Sequence, residues 1–167
     1  MRKFGALILA AVCMVAVLTG CGSKDAGTSE ASETTSAAAS ASAKAIGADL
    51  AGKITYQDEL SEMDIDTASM FINLSDVNVV DSAIYESSGA TAEEIIVLEC
   101  ASSADASKAA GLFKTRVAEQ KENFEDYVPE ELNKLGKAVI ATSGNFAVLS
   151  VSDDADTAKS IISDYLK

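Results

Sequence analysis

The chain has no histidine and no tryptophan, a single proline and three cysteines. Each scarcity removes chemistry. Without histidine there is no Ser-His-Asp triad, no imidazole base beside a thiol, and no His-metal centre. Without tryptophan the aromatic platforms of carbohydrate enzymes are missing, although two facing carboxylates, the core of glycosidase chemistry, are not ruled out by composition. No Gly-rich phosphate loop follows a strand. Cys13 lies in the N-terminal apolar run and Cys21 at its border, which leaves Cys100 as the one thiol in the remainder. That remainder therefore forms no internal disulfide, and its fold rests on its core. Cys100 follows Ile95-Ile96-Val97-Leu98-Glu99. It reads as a small buried apolar residue rather than a nucleophile, because a reactive thiol needs a cationic neighbour.

What is present begins with an address. Arg2 and Lys3 precede an apolar stretch from Gly5 to Leu18, then small residues Thr19 and Gly20. This is the layout of a secretory signal, residues 1–20. The run is shorter than the roughly 20 residues a spanning helix needs, and no second such run follows. Leu18-Thr19-Gly20-Cys21 resembles the lipobox of bacterial lipoproteins. The resemblance implies a diacylglyceryl group on the Cys21 thiol, cleavage just before it, and attachment to the outer face of the cell membrane. Two acyl chains anchor stably where one is marginal.

Residues 21–45 are the lipidated Cys and a tether. "GTSEASETTSAAASASA" has no aliphatic residue larger than alanine and cannot offset its ordering entropy by burial. Twenty-four residues of such chain reach roughly 27 Å, which holds a domain clear of the headgroups. Residues 46–167 are long enough for one domain. They carry 23 Asp and Glu against 9 Lys and Arg, a formal charge of −14. That sign argues against nucleic acid, which wants cations to displace its counterions, and against close docking on anionic lipid. The simplest account of the acids is a solvated exterior.

Along the domain, Ile46 to Lys53 reads as a short helix, Ile54 to Asp66 as an Asp-rich loop, and Ala68 to Leu74 as a helical turn or strand that packs inward. Val77 to Ser87 and Glu93 to Ala101 read as strands joined through Gly89. In the second strand Ile95 and Val97 face one way while Ile96, Leu98 and Cys100 face the other, the mark of a central, doubly covered strand. Ser103 to Asp126 carries an apolar stripe of Ala106, Ala109, Ala110, Phe113, Val117, Gln120 and Phe124, capped by Ser103 or Asp105 and not continued past Pro129. Lys137–Thr142 and Phe146–Ser152 flank Ser143-Gly144-Asn145 as a tight hairpin. A last helix follows Asp153 or Asp154, with Ala158, Ile161, Ile162 and Tyr165 inward. The pattern is strand-strand-helix twice. It predicts an α+β fold, an antiparallel sheet of four strands with two helices packed on one face.

"EEIIVLECAS", "FKTRVAEQKENFEDYVPEE" and "AVIATSGNFAVLSVSDD" resemble the bacterial lipoproteins that carry the domain of unknown function 4358. The family's pattern falls on Arg116, Gln120, Phe124, Tyr127 and Pro129, then Gly144, Asn145 and Phe146, and the likeness covers about residues 48–165. It implies a signal with lipobox, a tether and one domain, in mostly Gram-positive anaerobes. It implies no activity, substrate or cofactor.

Arg116, Gln120 and Tyr127 form the candidate ligand or partner surface. One reading makes Arg116 an anion clamp beside Tyr127. The plainer one lays its stem on the core edge and pairs its head with carboxylates. Asp153-Asp154-Ala155-Asp156 lacks the spacing of a calcium loop and is better explained by capping and the helix dipole. The run from Asp58 to Asp66 is a solvated loop. No catalytic residue, metal ligand or cofactor is expected. The expected function is a membrane-tethered, non-enzymatic module that meets a protein partner at the envelope. The alternative is a lipoprotein that binds a small ligand or cation for a transporter.

Overall fold

The computed structural model describes residues 41–167. The signal, Cys21 and nearly all of the tether lie outside the described residues. The fold is α+β, built on a five-stranded, wholly antiparallel sheet. In chain order the elements are α1 (Ala43–Lys53), β1 (Ser61–Met63), α2 (Ile65–Ala68), β2 (Val79–Glu86), β3 (Glu94–Cys100), α3 (Ser103–Glu125), a 3-10 turn (Pro129–Glu131), α4 (Leu132–Gly136), β4 (Val139–Ser143), β5 (Phe146–Val151) and α5 (Ala155–Tyr165). The strands lie in the order β1-β2-β3-β5-β4.

Period-two alternation sorts the core into two clusters. Ile84, Ile96, Leu98, Ala147 and Leu149 meet Ala106, Ala109, Phe113 and Val117 of α3 on one face. Ala83, Ile95, Val97, Phe146 and Val148 meet α1 and α5 on the other, through Ile46, Leu50, Ala158, Ile161 and Ile162. Two expectations are corrected here. The sheet has five strands rather than four, and its long helices lie on both faces rather than one. The physical reason is in the central strands. β3 is buried at six of its seven positions and β5 at all six, so both faces demand a cover. Each fully buried large aliphatic contributes about 1.5–3 kcal/mol relative to exposure, a demand that helices on one face could not meet.

Local signals explain the boundaries. Ser102, one residue before the expected position, caps α3 by accepting from the Asp105 amide, and its hydroxyl donates back to the Asp105 carboxylate. α3 ends at Glu125, and Pro129 opens the 3-10 turn where its missing N–H costs nothing. Asp154 caps α5 through the Thr157 amide. α1 begins at Ala43, so the last residues assigned to the tether are helical, and Ser42 caps them. Gly47 lets α1 approach β2 closely: a Cβ there would sit 2.5 Å from the Ala83 Cβ. The Tyr165 hydroxyl donates to Asp49 at 2.9 Å and joins α5 to α1. Gly144, at φ +56°, makes the β4–β5 turn.

Candidate functional site

Glu86 and Glu94 are cross-strand partners on β2 and β3, and both fall on the face that α3 covers. Arg116 descends from α3 between them. Its Nη2 donates to Glu86 at 2.8 Å and its Nε to Glu94 at 3.1 Å, while the guanidinium lies 4.2 Å from the centre of the Phe71 ring. The guanidinium is thus engaged by two carboxylates and an aromatic face, as the plainer reading of Arg116 has it. Glu94 is completely buried. Burial first, then the negative charge of Glu86, push its carboxyl well above the ordinary range, against the opposing pull of Arg116. Its Oε1 has no hydrogen-bond partner among the described residues, nor has Oε1 of buried Gln120, one turn along α3.

The structure brings Arg116, Gln120 and Tyr127 to one open cavity of about 270 Å³, also lined by Glu86, Ser87 and Phe124. Tyr127 stands exposed at its rim. The cavity falls below the ~300–1,000 Å³ of ligand clefts, and the positive charge on its wall is already paired.

A second buried cluster escaped the sequence reading. Lys134 of α4 is sealed from solvent, with Nζ 3.0 Å from Glu131, 3.3 Å from Glu93 and 2.9 Å from the Gln57 side-chain oxygen. Burial alone would pull its ammonium down, but the Glu131 hydrogen bond and the field of Glu93 hold it above the ordinary lysine value. The Glu93 carboxylate accepts from the amides of Gln57 and Asp58 and from the Thr91 hydroxyl. Glu131 accepts from the Ala92 amide at 2.8 Å. The cluster ties the loop before β1, the start of β3 and α4 together. Its one sequence signal is a pair of acids, Glu93-Glu94, just before the apolar run Ile95–Leu98.

The other flagged groups have structural occupations. Cys100 is buried and unpaired, and burial, then Asp105, push its thiol up. Asp58 accepts from the Ser88 amide and hydroxyl, and Asp64 caps α2. Asp156 pairs with Lys159. Among the described residues no group of three or more acids and cysteines is placed to hold a metal, and no helix is long and apolar enough to cross a membrane.

The remaining surface of interest lies at the far edge of the sheet. β4 and α5 enclose an open groove of about 420 Å³, walled by Val139, Ala141, Ile162 and Leu166. No carboxylate lines it.

Residues 55–152, more than half of the chain, match the family described as a domain of unknown function, DUF4358. The chain belongs to that family. The match runs from the loop before β1 to the end of β5, and so takes in the whole sheet and both buried charge clusters. No curated protein and no solved structure matches the chain.

Proposed function

We propose that this protein is a lipoprotein anchored through Cys21 to the extracytoplasmic face of the cell membrane, and that its DUF4358 domain is a non-enzymatic module that binds a protein partner. The observation that carries the reading is the groove between β4 and α5: an apolar, carboxylate-free surface on a domain with 23 acids. Polar exteriors keep such a domain soluble, so a local break in the acidic pattern marks a place where contact is tolerated. The cavity at Arg116 supports small-ligand capture less well, since its guanidinium already donates to Glu86 and Glu94.

Two measurements test the proposal. Mass spectrometry of the mature protein from its host should give an N-terminal residue at position 21 carrying two acyl chains. An unmodified N-terminus, or one elsewhere, removes the anchor. Photocrosslinkers placed at Thr142 and Ser163 along the groove should trap one reproducible envelope protein, whereas probes at Glu119 and Glu122 on the exposed side of α3 should not. Equal labelling from both faces would count against a dedicated surface.

A further inference from the structure

The two edges of the sheet differ. β1 covers only Ile84–Glu86 of β2, and a bulge at Val80 interrupts the rest of that edge. β4 pairs with β5 without a register shift from Val139 to Ser143, and among the described residues nothing pairs with its outer side. The Gly144-Asn145 connection makes Ser143 and Phe146 the pair that closes the turn, so alternation turns the amides and carbonyls of Ser143, Ala141 and Val139 toward β5. Ile140 and Thr142 therefore point their N–H and C=O groups outward. Natural edges are blunted by charge, proline or a bulge. Val139-Ile140-Ala141-Thr142-Ser143 has none of these.

We propose that the outer edge of β4 accepts an extended, uncharged segment of a partner polypeptide as a sixth strand. The segment would pair with the main chain of Ile140 and Thr142 and lay alternate side chains against Val139, Ala141, Ile162 and Leu166. Main-chain pairing supplies affinity in this mode, and the pockets for alternate side chains supply selectivity. Charge decides the occupant. The only charged residue lining the groove is Lys159, and it pairs with Asp156. Exposed Lys137, just before β4, lines a surface pocket with Asp153, Asp154 and Asp156, so neither lysine stands apart from carboxylates as a cation for an acidic segment. A basic segment meets no carboxylate in the groove. A second copy would bring a domain charge of −14 against −14, over a contact one strand, about 17 Å, long. A strip of that length and about 5 Å wide is well short of the roughly 1,000 Å² of a stable interface.

This inference rests on the protein-binding reading and adds its mode. The test uses the full chain in detergent micelles and a capped Val-Thr-Val-Thr-Val-Thr peptide as probe, read by amide hydrogen exchange. Millimolar peptide should slow exchange at Ile140 and Thr142 at least tenfold. The same peptide with lysine for threonine, or with alternate amides N-methylated, should not. Thr142→Pro should abolish the protection while the Ala141 amide, which faces β5, stays protected and so reports an intact sheet. No protection by the uncharged peptide overturns strand addition. If groove crosslinks to a host protein persist, the protein-binding reading stands without it. Protection of Ile140 and Thr142 without peptide overturns the proposal too, in favour of a second copy if it rises with protein concentration and of the chain's own N-terminal segment if it does not.

Discussion

Glu93 and Glu94 are consecutive, both buried, and surrounded in opposite ways. The Glu93 carboxylate lies among donors: two backbone amides, a hydroxyl and the Lys134 ammonium. Glu94 has one donor, Arg116, which it shares with Glu86, and one oxygen with no partner. Strand alternation sends one side chain toward loops, whose free amides need acceptors, and the other beneath a helix, whose amides are already used. A buried carboxylate is inexpensive in the first setting and costly in the second. The first cluster is held by fixed donors, whereas burial raises the Glu94 carboxyl in the second and makes a proton its readiest relief.

The largest effect should come from the cluster in which the cation and both of its carboxylates are buried. Lys134→Met keeps the apolar stem but leaves Glu93 and Glu131 facing each other without a cation. Breaking a buried pair in this way costs about 3–5 kcal/mol, to be measured as a lowered urea midpoint with an unchanged slope. Because Glu93 and Glu131 also hold the amides of Gln57, Asp58 and Ala92, exchange at those amides should accelerate as well. A loss under about 1 kcal/mol would place Lys134 among ordinary surface pairs and dissolve the contrast.

Arg116→Met makes the matching change in the other cluster. Glu94 can take up a proton, so the cost should be smaller, about 2 kcal/mol or less near pH 8, below the 3–5 kcal/mol of an unrelieved break. It should shrink further near pH 5, where the proton is easier to acquire. Urea unfolding at the two pH values checks this. A cost equal to that of Lys134→Met, or one indifferent to pH, would show that protonation gives no relief.

These clusters also mark where the sequence was readable. Local periodicity disclosed β3 as doubly buried, α3 by its stripe ending at Phe124, the β4–β5 hairpin by Gly144-Asn145, and the inner face of α5. Each of those signals lies within a dozen or so neighbouring residues. The short β1 was invisible because Ser61-Glu62-Met63 has no alternation and is mostly exposed. The two-sided covering was implicit in β3, but which helix takes which face depends on chain crossings that periodicity does not encode. Arg116 could be flagged as an Arg on an apolar stripe, whereas its partners Glu86 and Glu94 lie 30 and 22 residues away. Lys134 and Gln57 are 77 residues apart, and no spacing rule joins them.

Glu94→Gln gives the smallest change and the sharpest test. Glutamine has the shape of the protonated acid, and its neutral amide cannot ionise. The groups facing position 94 are Glu86 from β2 and Arg116 from α3, with apolar Val151 opposite it on β5. The native carboxyl is raised above its unfolded value of about 4.3. As pH rises past that value, the unfolded chain sheds its proton while the native chain keeps it. Stability therefore declines with pH, since the slope follows the protons bound by the unfolded state minus those bound by the native. The contribution is full below the unfolded pKa and gone once pH exceeds the native one. At pH 4, then, the variant should be slightly less stable than the parent, by at most one hydrogen bond, ~1 kcal/mol. With rising pH the two curves should converge and cross, leaving the variant the more stable at pH 8. Parallel curves across that range would mean that Glu94 is ionised in the native protein, and that its unpartnered oxygen is tolerated without a proton.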